Sequence, residues 1–146
     1  MCLTKSNIHA KDYSKPFVAE KDIIVYKALD HCDIYGTKKI RTPYQNCPIN
    51  FVDGKCVMVS KLEELNKYNV GKGLHSFRNE EEIKITCAFF PETKMTKHWA
   101  IIPKGSEYFI GKDEDVVSDN LIIFKSREYF RKYKREHECT KINLHN

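Results

Sequence analysis

Short apolar runs separated by turn residues dominate the pattern of hydrophobic and polar positions. Residues 23–26 (Ile-Ile-Val-Tyr) open a β-rich run that ends at Leu29, and a polar, Gly36-containing connection follows it. Asp53-Gly54 lies between two further apolar runs, and this dipeptide is typical of a type I′ hairpin turn. Later strands are predicted at 74–77, 98–102, 108–110 and 120–124.

Signals for helices are fewer. Ser60 with Glu63, and Asn79 with Glu82, have the spacing of a capping box, so a short helix is predicted after each pair. A third helix is predicted over 125–138, where aromatic residues at i, i+1 and i+4 form one stripe among basic residues.

These elements predict an α+β fold with a largely antiparallel, split sheet of about six or seven short strands and about three helices. The length of 146 residues is that of one ordinary domain. We expect a loose N-terminal arm over 1–20, a single α+β domain over 21–138 and a C-terminal tail over 139–146.

Composition narrows the class of protein. The chain has 25 Lys or Arg against 20 Asp or Glu, a net charge of +5, and 41% hydrophobic residues, which is enough to fill a core. No apolar run approaches the ~20 residues of a membrane span, and residues 1–15 lack the apolar region of an export signal. We therefore expect a cytoplasmic protein with no membrane partner.

The six cysteines are predicted to be reduced thiols, because no export signal accompanies them. No Cys-x-x-Cys motif is present, and the closest pair, Cys47 and Cys56, flanks the predicted hairpin turn. Neither a metal site nor a cofactor is predicted.

The densest group of chemically useful residues is at 71–78, where two glycines precede His75, Ser76 and Arg78. Glycines let a ligand approach the backbone closely, and a histidine at the head of a strand can bond to a ribose or a phosphate. This group predicts the mouth of a ligand-binding cleft. The alternative is an ordinary entry into a strand, with His75 bonded to a backbone carbonyl.

Two turns supply further candidate ligand-binding residues. Tyr44 could stack on a base whose edge Gln45 reads, although a tyrosine in a turn more often covers the rim of a core. Lys104 and Ser106 flank Gly105 in a possible anion nest, for which a plain β-turn is the alternative. No phosphate-loop, dinucleotide-binding, zinc-protease or serine-hydrolase motif occurs in the chain.

Four segments carry a resemblance to known proteins: Ile24-Val25-Tyr26-Lys27, residues 42–45, residues 73–77 and residues 101–106. With these segments the chain resembles, over roughly residues 20 to 126, a family of small uncharacterised proteins from phages and gut bacteria. At a greater distance, the order of the segments is similar to that in ADP-ribosyltransferases.

The second resemblance implies roles for particular residues. Lys27 would stand where ADP-ribosyltransferases have Arg or His, and His75-Ser76-Phe77 where they have a Ser-rich strand. Asp119 occupies the place of their catalytic glutamate and is one methylene shorter. Because a shift of ~1 Å can cost a transfer reaction about 100-fold, the resemblance implies a retained cleft without catalysis.

The leading hypothesis is therefore a non-catalytic binder of an anionic nucleotide or an ADP-ribose-like small molecule. As a phage protein it would sequester a host immune signal in the host cytoplasm. One alternative is a divergent ADP-ribosyltransferase-like enzyme that uses NAD through Lys27 and Asp119. A second alternative is a nucleic-acid-binding or protein-binding module that acts through the basic C-terminal helix.

Overall fold

The computed structural model describes residues 3–6, 15–42, 47–83 and 94–142. They form thirteen strands, the helix Arg127–Glu136, called the C-terminal helix below, and the first turn of another helix at 81–83. The strands are β1 (Leu3–Thr4), β2 (Phe17–Val18), β3 (Asp22–Ile34), β4 (Thr37–Arg41), β5 (Lys55–Val59), β6 (Glu63–Glu64), β7 (Asn69–Lys72), β8 (Leu74–Phe77), β9 (Lys94–Ile102), β10 (Glu107–Ile110), β11 (Asp115–Ser118), β12 (Asn120–Phe124) and β13 (Cys139–Lys141).

Ten of these strands form one sheet around the long strand β3. One edge of β3 pairs antiparallel with β9, from Ile23 opposite Ile102 to His31 opposite Lys94. The other edge is shared by β13, which runs parallel, and by β8 and β4, which run antiparallel. The main path of the sheet is β2-β10-β11-β8-β3-β9-β12-β5, so β2 and β5 form its two edges.

The two faces of this sheet carry separate parts of the core, because successive side chains of a strand point to opposite faces. Val25 and Leu29 lie with Lys27 on one face, called the Lys27 face, and the two apolar side chains pack in the largest buried cluster. Ile24 lies on the opposite face, called the helix face, in a cluster that includes Phe130 of the C-terminal helix.

A second sheet, of order β1-β7-β6, packs against part of the large one. Leu3 of β1 and Val70 of β7 are fully buried with Phe109 and Val117 of the large sheet. The chain thus closes one end of the large sheet with strands that are far apart in sequence.

The C-terminal helix is confirmed, as is its docking through aromatic residues. Phe130 is buried against Phe124, with ring centroids 5.6 Å apart, and it stacks with Trp99 at 6.1 Å. The Tyr133 hydroxyl donates to an Asp22 carboxylate oxygen at 2.7 Å, which ties the helix to the start of β3.

The hairpin at Asp53-Gly54 is also confirmed. Both residues have positive φ, 53° and 77°, as a type I′ turn requires. Val52 and Lys55 exchange backbone hydrogen bonds of 2.9 and 3.2 Å across the turn. The Tyr129 ring lies over Gly54 so closely that a Cβ atom there would be 2.1 Å from it.

The predicted α+β fold class, with its split sheet of six or seven strands and three helices, is wrong: the protein is mostly antiparallel β structure. The capping-box pattern at Ser60 did not produce a helix, because Glu63–Glu64 pairs with β7 as strand β6. Strand β11, Asp115–Ser118, is absent from the predicted strands, and it pairs with β8. In both places, pairing with another strand overrides the local pattern: β6 pairs with the next strand along the chain, and β11 with a strand about 40 residues away.

The segments expected as a loose arm and a tail also contain strands. β1 and β2 lie within residues 1–20, and β13 lies within residues 139–146. In the parts of the chain that the structure describes, helices are too short or too polar to cross a bilayer.

Candidate functional site

The candidate site is centred on Lys27, a charged residue in the middle of β3. Every other residue from 22 to 30 is buried, whereas Lys27 keeps part of its surface accessible. Its ammonium group donates to the His75 carbonyl oxygen at 2.5 Å. Among the residues that the structure describes, no carboxylate forms an ion pair with Lys27.

Burial lowers the pKa of Lys27 from 10.5 to about 8, because the ammonium form loses hydration. The Cys47 thiol lies close enough to oppose this shift electrostatically. Lys27 therefore remains mostly charged at neutral pH, without a compensating carboxylate in the described part of the chain.

Ser76 lies directly across from Lys27 on the neighbouring strand. β3 and β8 pair antiparallel with Tyr26 opposite Phe77, so the next positions, Lys27 and Ser76, also face each other and share a face. Ser76 is only 2% exposed, and its hydroxyl has no hydrogen-bond partner in the described part of the chain. The Lys27 ammonium and the buried Ser76 hydroxyl thus lie on the same face of adjacent strands, and the hydroxyl has unused bonding capacity among the described residues.

His98 occupies the corresponding position on the other side of Lys27, opposite it in the β3–β9 ladder. Its Nδ1 is 2.8 Å from the Phe124 carbonyl oxygen, which only accepts, so Nδ1 carries the proton of the neutral ring. Its Nε2 then accepts from the Thr96 hydroxyl at 2.8 Å. Burial lowers the pKa of His98, which favours this neutral form.

The Thr96 hydroxyl links His98 to His31. Its oxygen is also 2.6 Å from Nε2 of His31, which donates when Thr96 donates to His98. The rings of His31 and Phe51 each stack with the His98 ring at a centroid distance of 5.9 Å. The His98 ring is therefore held in one orientation by its neighbours.

The predicted group at 71–78 is divided by the sheet. Ser76 lies on the Lys27 face, whereas the His75 side chain points to the opposite face, and His75 reaches Lys27 only through its carbonyl oxygen. Arg78 forms an ion pair with Glu114, whose other oxygen accepts from the Asn79 amide at 2.8 Å. Lys27 and Ser76 are the sequence-predicted residues whose side chains the structure brings to one place.

Three other predicted residues lie at a different end of the sheet. The Lys104 backbone N–H donates to Asp22, at the start of β3, so Lys104 is about 16 Å along the strand from Lys27. Ser106 is buried in the same turn as Lys104, and its carbonyl oxygen accepts a hydrogen bond from the Ala19 N–H. The Asp119 carboxylate accepts from the Glu107 N–H at 3.1 Å and from the Asn120 amide at 2.8 Å.

Tyr44 and Gln45 lie outside the described residues. Cys47, close to Lys27, is the first residue described after them. Cys32, Cys47, Cys56 and Cys139 are free thiols. Over the described ranges, no group of three or more His, Cys, Asp or Glu side chains is arranged to hold a metal ion.

Sequence reasoning missed His98 and its partner Thr96. A signal was present, since position 98 has the same parity as the buried residues Ala100 and Ile102 and must share their face. What the sequence lacked was the pairing of β3 with β9, which joins residues about seventy positions apart.

Comparisons of the chain with protein-family models, with curated proteins and with solved structures find no match.

Proposed function

We propose that the protein binds a small anionic ligand at Lys27, with Ser76 as a second donor, and does not transform it. The observation that carries the proposal is a buried ammonium group that has no carboxylate partner among the described residues and faces an unpartnered hydroxyl. A phosphate or carboxylate group would accept from both.

The energetics favour a functional role for Lys27. A shift of the pKa from 10.5 to about 8 means that the charged amine lowers the stability of the folded protein by about 3 kcal/mol at neutral pH. An apolar side chain at this position would avoid that cost, and strongly shifted groups tend to occur at functional sites. An anionic ligand would supply the missing negative charge and offset the cost.

Binding without catalysis is favoured by the state of His98. A general base near Lys27 would need a free imidazole nitrogen, but one nitrogen bonds to the Phe124 carbonyl and the other to the Thr96 hydroxyl. The Asp119 carboxylate is bonded at a different end of the sheet. The nucleotide or ADP-ribose-like character of the ligand is part of the proposal and rests on the family resemblance.

Isothermal titration calorimetry with ADP-ribose, NAD, cyclic dinucleotides and inorganic phosphate tests the proposal. We expect at least one of them to bind wild-type protein at pH 7 with a Kd below about 100 μM. Lys27→Met should weaken that binding at least about tenfold, because it removes a charged donor. Lys104→Met removes the same charge from an exposed position about 16 Å away and should change the Kd less than about twofold.

The pH dependence gives a second criterion. The affinity of wild-type protein should fall about tenfold between pH 7 and pH 9, as Lys27 loses its proton through a pKa of about 8. The proposal is wrong if no ligand of the panel binds, or if the two lysine variants weaken binding equally.

A further inference from the structure

The outer edge of β5 is a second surface with unused bonding groups. β5 pairs with β12 on one side, and no strand within the described ranges pairs with the other side. An unpaired edge strand presents a row of N–H and C=O groups to which an extended chain can bond. The backbone N–H and C=O of Lys55 bond to Val52 in the turn, so the groups available on this edge belong to the remaining residues of β5.

The register shows which residues offer these groups. At one end of the ladder the Ser60 N–H donates to the Asp119 carbonyl at 2.9 Å, and Gly54 at the other end also bonds to its opposite residue. Hydrogen-bonded and non-hydrogen-bonded pairs alternate in an antiparallel ladder, so the even-numbered residues of β5 bond to β12. Val57 and Val59 therefore point their N–H and C=O groups outward.

The side chains of the same two residues are exposed. Val57 is 62% and Val59 is 75% exposed, and Val57 lies opposite Ile122 on the helix face. Proteins usually protect an edge strand with charges, a proline or a bulge. Lys55 is the only charged residue of β5, so its second half is unprotected.

The surroundings of this edge are strongly basic. Residues 52–59 and 124–136 contain seven Lys or Arg and three Asp or Glu, a net charge of +4. The Tyr129 ring lies over Gly54 and so brings the C-terminal helix next to the turn that begins β5. Arg131 and Lys132 of that helix are exposed.

We propose that β5 is a docking edge for an extended acidic segment of another protein, which adds a strand to the large sheet. Outward backbone groups would hold its main chain, Val57 and Val59 would contact its apolar side chains, and the basic helix would attract its carboxylates. A second copy of this chain is disfavoured as the occupant, because pairing β5 with β5 would bring two regions of net charge +4 together.

The probe is a fluorescein-labelled, acetylated and amidated peptide of seven residues that alternate glutamate and valine. We expect fluorescence anisotropy to show saturable binding to the wild-type chain that weakens at least about fivefold between 50 and 200 mM salt. The same peptide with N-methyl groups on alternate amides keeps the composition but loses backbone donors, and it should bind at least about tenfold more weakly.

Val57→Pro removes one outward N–H without removing a hydrogen bond to β12, and it should weaken binding at least about fivefold. Val18→Pro is the matched control. Val18 is a similarly exposed valine on β2, the opposite edge of the sheet, and its N–H also points outward, since its neighbour Ala19 donates to Ser106. Thermal melts of both variants establish that they fold, and the N-methylated peptide tests the same point on unaltered protein.

Four outcomes would overturn the proposal. The first is no peptide binding up to about 1 mM, and the second is equal binding of the methylated peptide. The third is a concentration-dependent dimer in analytical ultracentrifugation that Val57→Pro abolishes, which would make a second copy the occupant. The fourth is tighter binding of a single-stranded DNA oligonucleotide that Val57→Pro leaves unchanged, which would make the basic helix a nucleic-acid surface.

Discussion

Two lysines are drawn into apolar parts of this molecule, and their surroundings differ. Lys5, beside the small sheet, is 4% exposed, forms a 2.7 Å ion pair with Glu64 and lies 4.5 Å from the centre of the Phe109 ring. Lys27, in the large sheet, has a carbonyl oxygen as its one hydrogen-bond acceptor in the described part of the chain. A carboxylate and an aromatic face compensate the first charge, and neither kind of group compensates the second within the ranges that the structure describes.

This difference separates a structural lysine from a candidate binding lysine. Lys5 bonds to Glu64 within the small sheet and contacts Phe109 of the large sheet, so its charge is used within the fold. Lys27 has no ion-pair partner, and the neighbouring Ser76 hydroxyl no hydrogen-bond partner, among the described residues, which is an arrangement that the proposed ligand would complete. Burial alone therefore does not make a lysine a candidate binding residue, whereas burial without a counter-charge among the described residues does.

The largest expected effect is a gain of stability in Lys27→Met. At pH 7 the variant should unfold with a free energy about 2 kcal/mol higher than wild type: relief of about 3 kcal/mol from the pKa shift, less about 1 kcal/mol for the lost hydrogen bond. Urea denaturation of both proteins measures this difference.

The pH dependence of that gain has a definite sign. Between pH 8 and pH 10.5 the unfolded chain keeps the Lys27 proton and the folded chain releases it, so wild-type stability rises with pH relative to the variant. Most of the gain should be lost by pH 10. A variant that is less stable than wild type at pH 7 would show that Lys27 is structural, as Lys5 is.

The opposite sign is expected for Lys5→Met. This substitution removes an ion pair and a cation–π contact, and it leaves a partly exposed Glu64 that water can hydrate, so the free energy of unfolding should fall by about 1.5 kcal/mol. Denaturation under the same conditions provides the comparison. If both methionine variants are stabilised, the contrast between the two lysines is wrong.

The smallest expected effects come from two buried serines on adjacent strands. The Ser118 hydroxyl donates to the Asn120 carbonyl at 2.9 Å, so Ser118→Ala should cost about 1 kcal/mol. Ser76→Ala loses no hydrogen bond within the described residues and should change stability by less than about 0.5 kcal/mol. Thermal melts rank the two variants, and a larger loss for Ser76→Ala would mean that its hydroxyl has a structural role.

The predictable parts of the fold are those with strong local signals. A type I′ turn requires positive φ at two consecutive residues, and Asp-Gly is one of the few dipeptides that adopt it readily. The dipeptide therefore predicts a hairpin. The aromatic stripe of the C-terminal helix specifies both a helix and its buried side. β6 carries no such signal, because its two glutamates do not favour a strand and only their pairing with β7 makes them one. β11 is a short run whose partner β8 lies about 40 residues away in the chain.

In the candidate site, too, some features have a local sequence signal and others do not. The position of Lys27 in an apolar run with alternating faces indicates that its side chain points into the core. The sequence cannot indicate that Ser76 and His98 flank it, since the partners come from strands about fifty and seventy residues away. Alternation along an extended strand predicts that His75 and Ser76 point to opposite faces. Grouping Arg78 with Ser76 was misleading, because β8 ends at Phe77 and Arg78 forms an ion pair with Glu114.

The most direct test of the uncompensated charge is the pKa of Lys27, measured by NMR titration of the protein with ¹³C-labelled lysine side chains and assigned by loss of the signal in Lys27→Met. We expect a midpoint of about 8 in the free protein. We also expect a rise in that midpoint when the calorimetric panel supplies an anionic ligand at saturating concentration. A midpoint at or above 10.5 in the free protein would mean that a counter-charge already compensates Lys27, and it would contradict the proposed binding site.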